Sequence, residues 1–247
     1  MRLFFKKLLG RCRRGLRPDE IQGYVLQDRL CHEVRTLLTG IVGYAEFLEA
    51  DSSVPMVGFT AKIIRESGQA LTRINVAYFD LQALKAGRSN INLSNFDLLS
   101  LVCKAIDTSQ AVAFNSQVHL VFSAESELSH IFTNSDNKKT LRVFNLIVNH
   151  VLQSALKHSV FSLTLSVMNK KCALHFEYEN ASDSERNLES NFWTNSSYQY
   201  QLQAGPGIEL ALAKELIKLL SWDVAYKVSN EGVSTLSLMM NVSGYEK

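Results

Sequence analysis

The chain lacks any apolar run near the roughly 18 to 20 residues a membrane-spanning helix needs, and it has no signal-peptide core. A spanning or secreted product is therefore excluded, and a cytoplasmic protein is expected. Its four cysteines, Cys12, Cys31, Cys103 and Cys172, stand far apart, without CxxC or Cys/His ligand spacing. That excludes a zinc site and a disulfide framework and leaves buried thiols. Charge of one sign is also scarce, the formal net being +2. Seven of the 26 basic residues precede the first acid, Asp19, which leaves 19 bases against 24 acids in the remaining body. The basic character is a local property of residues 1–18, not the footprint of a nucleic-acid-binding domain.

What is present is 247 residues, 46% hydrophobic and 20% charged, enough for one large or two modest domains with real cores. Residues 1–17 mix Leu3, Phe4, Phe5, Leu8, Leu9 and Leu16 with basic residues. Such a segment could make weak contact with an anionic membrane surface as a short amphipathic helix, or be a solvated terminus. About 20 residues precede the first long periodic segment, so no sensory domain is expected there and input is expected through another protein.

Residues 19–87 carry the clearest organisation. Tyr24, Gln27, Cys31, Val34, Leu38, Ile41, Ala45 and Leu48 advance by threes and fours, widened by Leu30, Leu37 and Tyr44. This spacing predicts one long amphipathic helix. Ala50 to Pro55 supplies a break, because serine and aspartate favour turns and proline does not continue a helix. A second stripe follows through Ile64, Ser67, Leu71, Ile74, Tyr78 and Leu81. Two such helices make an antiparallel hairpin. Each stripe is wider than a two-helix seam needs, so a homodimeric four-helix bundle is expected.

Opposite the first stripe, His32, Thr36, Thr39, Gly43 and Glu46 share a face. His32 is expected to be exposed. Glu33 can hold its imidazole or take its proton, and Thr36 lies one helical turn on. Thr39 and Gly43 are small, which would let a partner surface come close.

The run Cys31-His32-Glu33-Val34-Arg35-Thr36-Leu37-Leu38-Thr39 resembles the H-box of two-component sensor histidine kinases, written His-Glu-x-Arg-Thr-Pro-Leu-Thr, with Leu37 in place of the proline. The resemblance extends in register across residues 20 to 243. It implies that His32 carries a phosphoryl group, that Glu33 acts as acid or base, and that Thr36 positions water when a partner's aspartyl phosphate is hydrolysed. Loss of the proline should straighten the helix without removing the nucleophile.

Past Gly87 the pattern is mixed. Ile91 to Leu93 reads as a strand, Phe96 to Asp107 as a helix, Val118 to Phe122 as a strand, and Asn137 to His158 as a helix. Phe161 to Val167 and Cys172 to Tyr178 flank a turn at Asn169-Lys170-Lys171. Ile208 to Leu220 reads as a helix, and Trp222 to Val228 and Ser234 to Met240 flank Asn230-Glu231-Gly232. Asp183 to Gln203 is polar and reads as an ordinary loop where a nucleotide lid would be. This order resembles the ATP-binding α/β sandwich of the same kinases, over residues 91–243.

That resemblance places Ser154 where the family has its magnesium-binding asparagine. Glu179 stands at the adenine-binding aspartate, with the two following glycines missing. Gly205 and Gly207 remain of the last loop, but Glu209 replaces its third glycine. Each departure is worth about 1 to 3 kcal/mol where a polar group is mismatched. Three in one site imply that nucleotide binding is lost or greatly weakened.

The expected fold is therefore α+β: an antiparallel hairpin forming a dimeric four-helix bundle, then a degenerate ATPase-type sandwich. The expected function is a histidine phosphotransferase of a phosphorelay, with little or no ATP-dependent kinase activity. It binds no cofactor or metal itself, and Mg2+ comes from the partner receiver domain. Arg35, Thr39, Gly43 and Glu46 would meet that response-regulator receiver. A non-catalytic binder of a sensor kinase or receiver, a receiver phosphatase and an atypical active kinase are the other readings.

Overall fold

A computed structural model of the protein describes residues 18–50, 54–125, 128–194 and 207–246. The basic segment 1–17, Gly205 and the stretch 195–203 lie outside the described residues, as do the side chains of Tyr24 and Gln27. The described chain divides into two compact units, one formed by the two long helices up to Val76 together with 207–208 and one that starts at Ala77 and holds both sheets.

In the first unit, helix α1 (Pro18–Ala50) and helix α2 (Val54–Lys85) form the hairpin. Leu30, Val34, Leu37, Ile41, Ala45 and Leu48 make the half-buried row of α1, all from the expected stripe. The helices approach closely at Gly40, where a Cβ would lie 3.7 Å from Ser67 Oγ. The stripe is wider than this seam: Leu38 and Tyr44 remain 44% and 37% exposed. The expected break falls between Ala50 and Val54, and Pro55 belongs to the helix that follows it. It stands in the first turn of α2, where its missing N–H has no intrahelical partner to lose and its fixed φ suits the helix.

In the second unit, strand β1 (Ser94–Asp97) begins later than the expected Ile91–Leu93 strand. Asp97 then caps helix α3 (Leu98–Ser116), accepting from Leu99 N at 3.1 Å and Ser100 Oγ at 2.6 Å. This cap starts the helix at Leu98 instead of Phe96, and its buried face carries it past Asp107 to Ser116. Strand β3 (His130–Ser135), unexpected from the sequence, pairs antiparallel with β1 and with the terminal strand β8 (Gly244–Glu246). Its inward residues are Ile131, Thr133 and Ser135. Two of these three are polar, so no apolar alternation marks the strand.

The larger sheet comprises β2 (His119–Ala124), β4 (Val160–Met168), β5 (Lys171–Glu179), β6 (Asp223–Val228) and β7 (Val233–Asn241), in the order β2-β4-β5-β7-β6. Only β2 and β4 run parallel. Asn169 and Lys170 both take positive φ, 52° and 61°, the requirement of a tight two-residue hairpin. Helix α4 (Asn137–Ser154) is capped by Asp136 and packs beside α3, burying Phe144, Ile147, Val151 and Leu152. It ends at Ser154, not His158, whose φ of 65° is left-handed. Phe161, Phe176 and Tyr178 form the aromatic centre of the sheet, with ring centroids 6.2 to 6.3 Å apart.

The segment expected to be a loop from Asp183 contains helix α5 (Asp183–Thr194), packed on β6. Its polar composition conceals a narrow inward face: Glu189, Phe192 and Trp193 are 3%, 1% and 6% exposed. Helix α6 (Ile208–Leu219) buries Leu210, Ala211, Leu212 and Ala213 in succession, as a helix enclosed nearly all round does. No helix among the described residues is long and apolar enough to cross a membrane.

Candidate functional site

His32 projects from α1 into solvent, beside exposed Arg35, Thr36, Thr39, Gly43 and Glu46 and half-buried Glu33. The Thr36 hydroxyl donates to the His32 carbonyl at 3.1 Å and lies 3.4 Å from the ring Nδ1. A hydroxyl has one proton. With it spent on the carbonyl, Oγ1 is an acceptor toward Nδ1, which favours the Nδ1–H tautomer and leaves the Nε2 lone pair facing outward. At 3.4 Å this contact is weak, so it biases the tautomer without immobilising the ring. Thr39 returns its hydroxyl to Arg35 O at 2.9 Å in the same manner.

Arg35, Thr39, Gly43 and Glu46, the four residues expected to meet a partner, line one groove with Leu38 and Val42. A cation, an anion, two small side chains and two aliphatic ones are thus displayed together on a rigid helix. Among the described residues, no group of three or more His, Cys, Asp or Glu could hold a metal ion.

The residues assigned to a nucleotide do not converge in this way. Ser154 is 9% exposed and turns its hydroxyl back to His150 O at 3.0 Å within its own helix, 3.5 Å from Glu189 Oε1. Glu179 is exposed at the end of β5, where its carbonyl accepts from Leu156 N at 2.7 Å. Glu209 sits in the first turn of α6, where a carboxylate is favoured by the helix dipole, and Gly207 directly precedes it.

Sequence reasoning missed the polar centre of this unit. Glu189 of α5 accepts from His150 Nε2 at 2.6 Å on one oxygen. On the other it accepts from Tyr178 OH at 2.5 Å, Tyr226 OH at 3.3 Å and Asn180 Nδ2 at 3.4 Å. Tyr226 OH also lies 2.8 Å from Ser234 Oγ. Burial alone would raise the Glu189 carboxyl; the His150 ring and the Tyr178 and Asn180 donors outweigh it and hold it below its ordinary value. Burial, then the Glu189 charge, push the Tyr178 phenol well up. One turn further along α5, Lys214 of α6 donates to Phe192 O and stands 4.5 Å over the Phe192 ring. Its burial lowers it to about 8. The one signal available was the spacing of Leu188, Glu189, Phe192 and Trp193 on one helical face.

Among the described residues, Ser154, Glu179 and the donors around Glu189 do not fit a nucleotide with its magnesium. The amide and hydroxyl donors that would face one are bonded to Glu189, and Ser154 points its oxygen into its own helix.

No family model matches the chain. It is 22% identical over 214 residues to hybrid signal transduction histidine kinase F of Dictyostelium discoideum, a match covering 84% of this chain and 19% of that protein. The chain thus spans about a fifth of that relative's length. Among solved structures it is similar to the histidine kinase AdeS of Acinetobacter baumannii, with a TM-score of 0.63, 13% identity, and 86% of this chain and 98% of that chain covered. It is similar also to the histidine kinase ThkA in complex with the response regulator protein TrrA, with a TM-score of 0.59, 14% identity, and 86% of this chain and 60% of that chain covered. The chain is histidine kinase-like: a helical hairpin and a mixed-sheet, ATPase-like unit in one α+β chain.

Proposed function

We propose that this histidine kinase-like chain is a phosphorelay carrier, accepting a phosphoryl group from a receiver aspartate on His32 and returning it to another receiver, without drawing on ATP. The observation that carries this reading is the contrast between an outward His32 ring, with Thr36 on its Nδ1 side, and a second unit whose donors are spent on Glu189. The receiver's acyl phosphate meets His32 Nε2 in line. The N–P bond forms as the P–O bond to the aspartate breaks, and the carboxylate leaves with the electron pair. The Nδ1 proton lies toward Thr36, and Glu33 is the neighbouring carboxylate that takes it as the N–P bond forms and returns it as the phosphoryl group leaves. The reverse sequence charges the next receiver.

Such transfer needs positioning more than covalent machinery. Docking is assigned to Arg35, Thr39, Gly43 and Glu46, with Mg2+ brought by the receiver. That a ThkA structure holds a response regulator supports this class of partner. Exposed Leu38 and Tyr44 support burial of the remaining stripe against a second copy. Incubation of the full chain with a receiver charged by labelled acetyl phosphate should place acid-labile label on the wild type and none on His32→Ala. Failure of every charged receiver to label His32 would overturn the relay in favour of a non-catalytic binder. Receiver dephosphorylation that survives His32→Ala but not Thr36→Ala would identify a phosphatase instead.

A further inference from the structure

The two edges of the larger sheet are finished differently. At one edge β6 carries Asp223 and Lys227 and has α5 packed on it. At the other, β2 is paired with β4 alone among the described residues. Its six residues, His119–Ala124, hold no proline, glycine or lysine and run beside β4 in unbroken register. An edge strand of that kind is a ready template for another strand, since nothing in it blocks pairing.

The hydrogen bonds identify the outward backbone groups. His119 N donates to Ser159 O at 3.0 Å and Glu125 N to Leu165 O at 3.2 Å. In a parallel ladder of this register the odd-numbered residues of β2 bond β4, and the N–H and C=O of Leu120, Phe122 and Ala124 point off the sheet. The side chains of those three share the face of buried Phe161, Leu163 and Leu165 and are half-buried at its rim. His119, Val121, Ser123 and Glu125 are exposed on the other face, Val121 at 47%.

We propose that the β2 edge pairs antiparallel with the β2 edge of a second copy of this chain, about a two-fold axis at Phe122. That register engages the outward groups of all three residues on both strands, with Leu120 opposite the partner's Ala124 and Phe122 opposite the partner's Phe122. It forms about six inter-chain N–H···O bonds. It also sets the His119 imidazole opposite the partner's Glu125 at each end of the ladder. The Glu125 carboxylate has one long contact, from Val167 N at 3.5 Å, and is otherwise available to that ring. A strand with an imidazole at one end and a carboxylate at the other is complementary to an antiparallel copy of itself, which selects a second copy as the occupant. The half-buried Phe122 side chains meet at the joint and continue the core face of one sheet into the next. The contact lies within the second unit and does not depend on the relay reading.

Hydrogen exchange resolved to single amides tests the pairing on the full chain, at low-micromolar and near-millimolar concentration. The amides of Leu120, Phe122 and Ala124 should slow by about tenfold or more as concentration rises, while those of Val121 and Ser123, already bonded to β4, should not change. Leu120→Pro removes an outward N–H and no bond to β4, so it should abolish the concentration dependence. His119→Glu sets like charges against each other at both ends of the ladder and should abolish it too. Adding Glu125→Lys to His119→Glu should restore it. Fast exchange of the three amides at every concentration would overturn the proposal. So would protection that does not vary with concentration, which would mark a segment of the same molecule along the edge, or failure of the reversed pair to restore what His119→Glu removes. The wild-type arms decide the matter even if a variant does not fold. Labelling of His32 enters none of these readings, so the edge contact and the relay stand or fall separately.

Discussion

On α1, Thr36 and Thr39 each return a hydroxyl to the carbonyl four residues back and leave the rest of their face in solvent, whereas Glu189 draws its donors out of α4, β5 and β6 into a site 3% exposed. The first arrangement is local and costs the helix little, so His32 stays available to whatever approaches. The second is non-local and satisfies buried groups that would otherwise be costly. Clustered polar residues therefore have opposite meanings in the two regions. Where they stay wet they can do chemistry on a visitor; where they are dry and mutually bonded they hold elements together.

The sharpest way to break this contrast is to remove one carboxylate from each region. Glu189→Ala removes the acceptor of His150 and Tyr178 and should cost about 3–5 kcal/mol in denaturant melts, as losing one side of a buried charged pair does. Glu46→Ala on the exposed face should stay within about 0.5 kcal/mol. Equal losses would mean that the buried network does not hold the fold. Next in size, Ser154→Asn restores the family's residue but inserts bulk at a buried, self-bonded position. It should cost about 1–3 kcal/mol by overpacking. It should also leave the melting temperature indifferent to a magnesium–nucleotide analogue, and a rise would argue that the second unit is one residue from binding it.

Acid sharpens the contrast further. Glu189, Asp97 and Asp136 all titrate below their ordinary values despite burial, because backbone and side-chain donors bind their charged forms. A depressed carboxyl contributes stability above its unfolded value that is lost as pH falls through its folded value. Stability should therefore fall below about pH 4.5, and less steeply in Glu189→Gln, as followed by circular dichroism.

Thiol labelling gives a kinetic version of the same comparison. Cys31 is exposed, while Cys172 is buried and its thiol is pushed up to about 12. Mass spectrometry should find Cys31 alkylated in the native protein and Cys172 only after unfolding. The smallest effect belongs to His130, raised by its 2.9 Å bond to Asp97 and largely solvent-exposed. Its contribution is present below pH 6.5 and lost as pH rises through its folded value, so His130→Ala should flatten that slight slope.

Periodicity made the two long helices legible, because every third or fourth residue from Leu30 to Leu48 is apolar and lies on one face. The turns at Asn169-Lys170 and Asn230-Glu231-Gly232 marked the two hairpins of the main sheet in the same local way. β3 escaped because Thr133 and Ser135 face inward, and α5 because its polar residues outnumber the few that bury it. The candidate site divides likewise. His32 and Thr36 could be paired from their spacing of four, since one helix carries both. The ring of donors around Glu189 comes from positions 150, 178, 180 and 226, and no spacing rule joins them.

Local order along this chain was enough to specify a hairpin with an outward histidine, and the resemblance set Ser154, Glu179 and Glu209 where nucleotide ligands were expected. The burial of Glu189 and the existence of α5 were settled only when distant segments packed. A 3.6-residue repeat is a property of neighbours in the chain, whereas a desolvated carboxylate is stable only once donors from several elements have reached it.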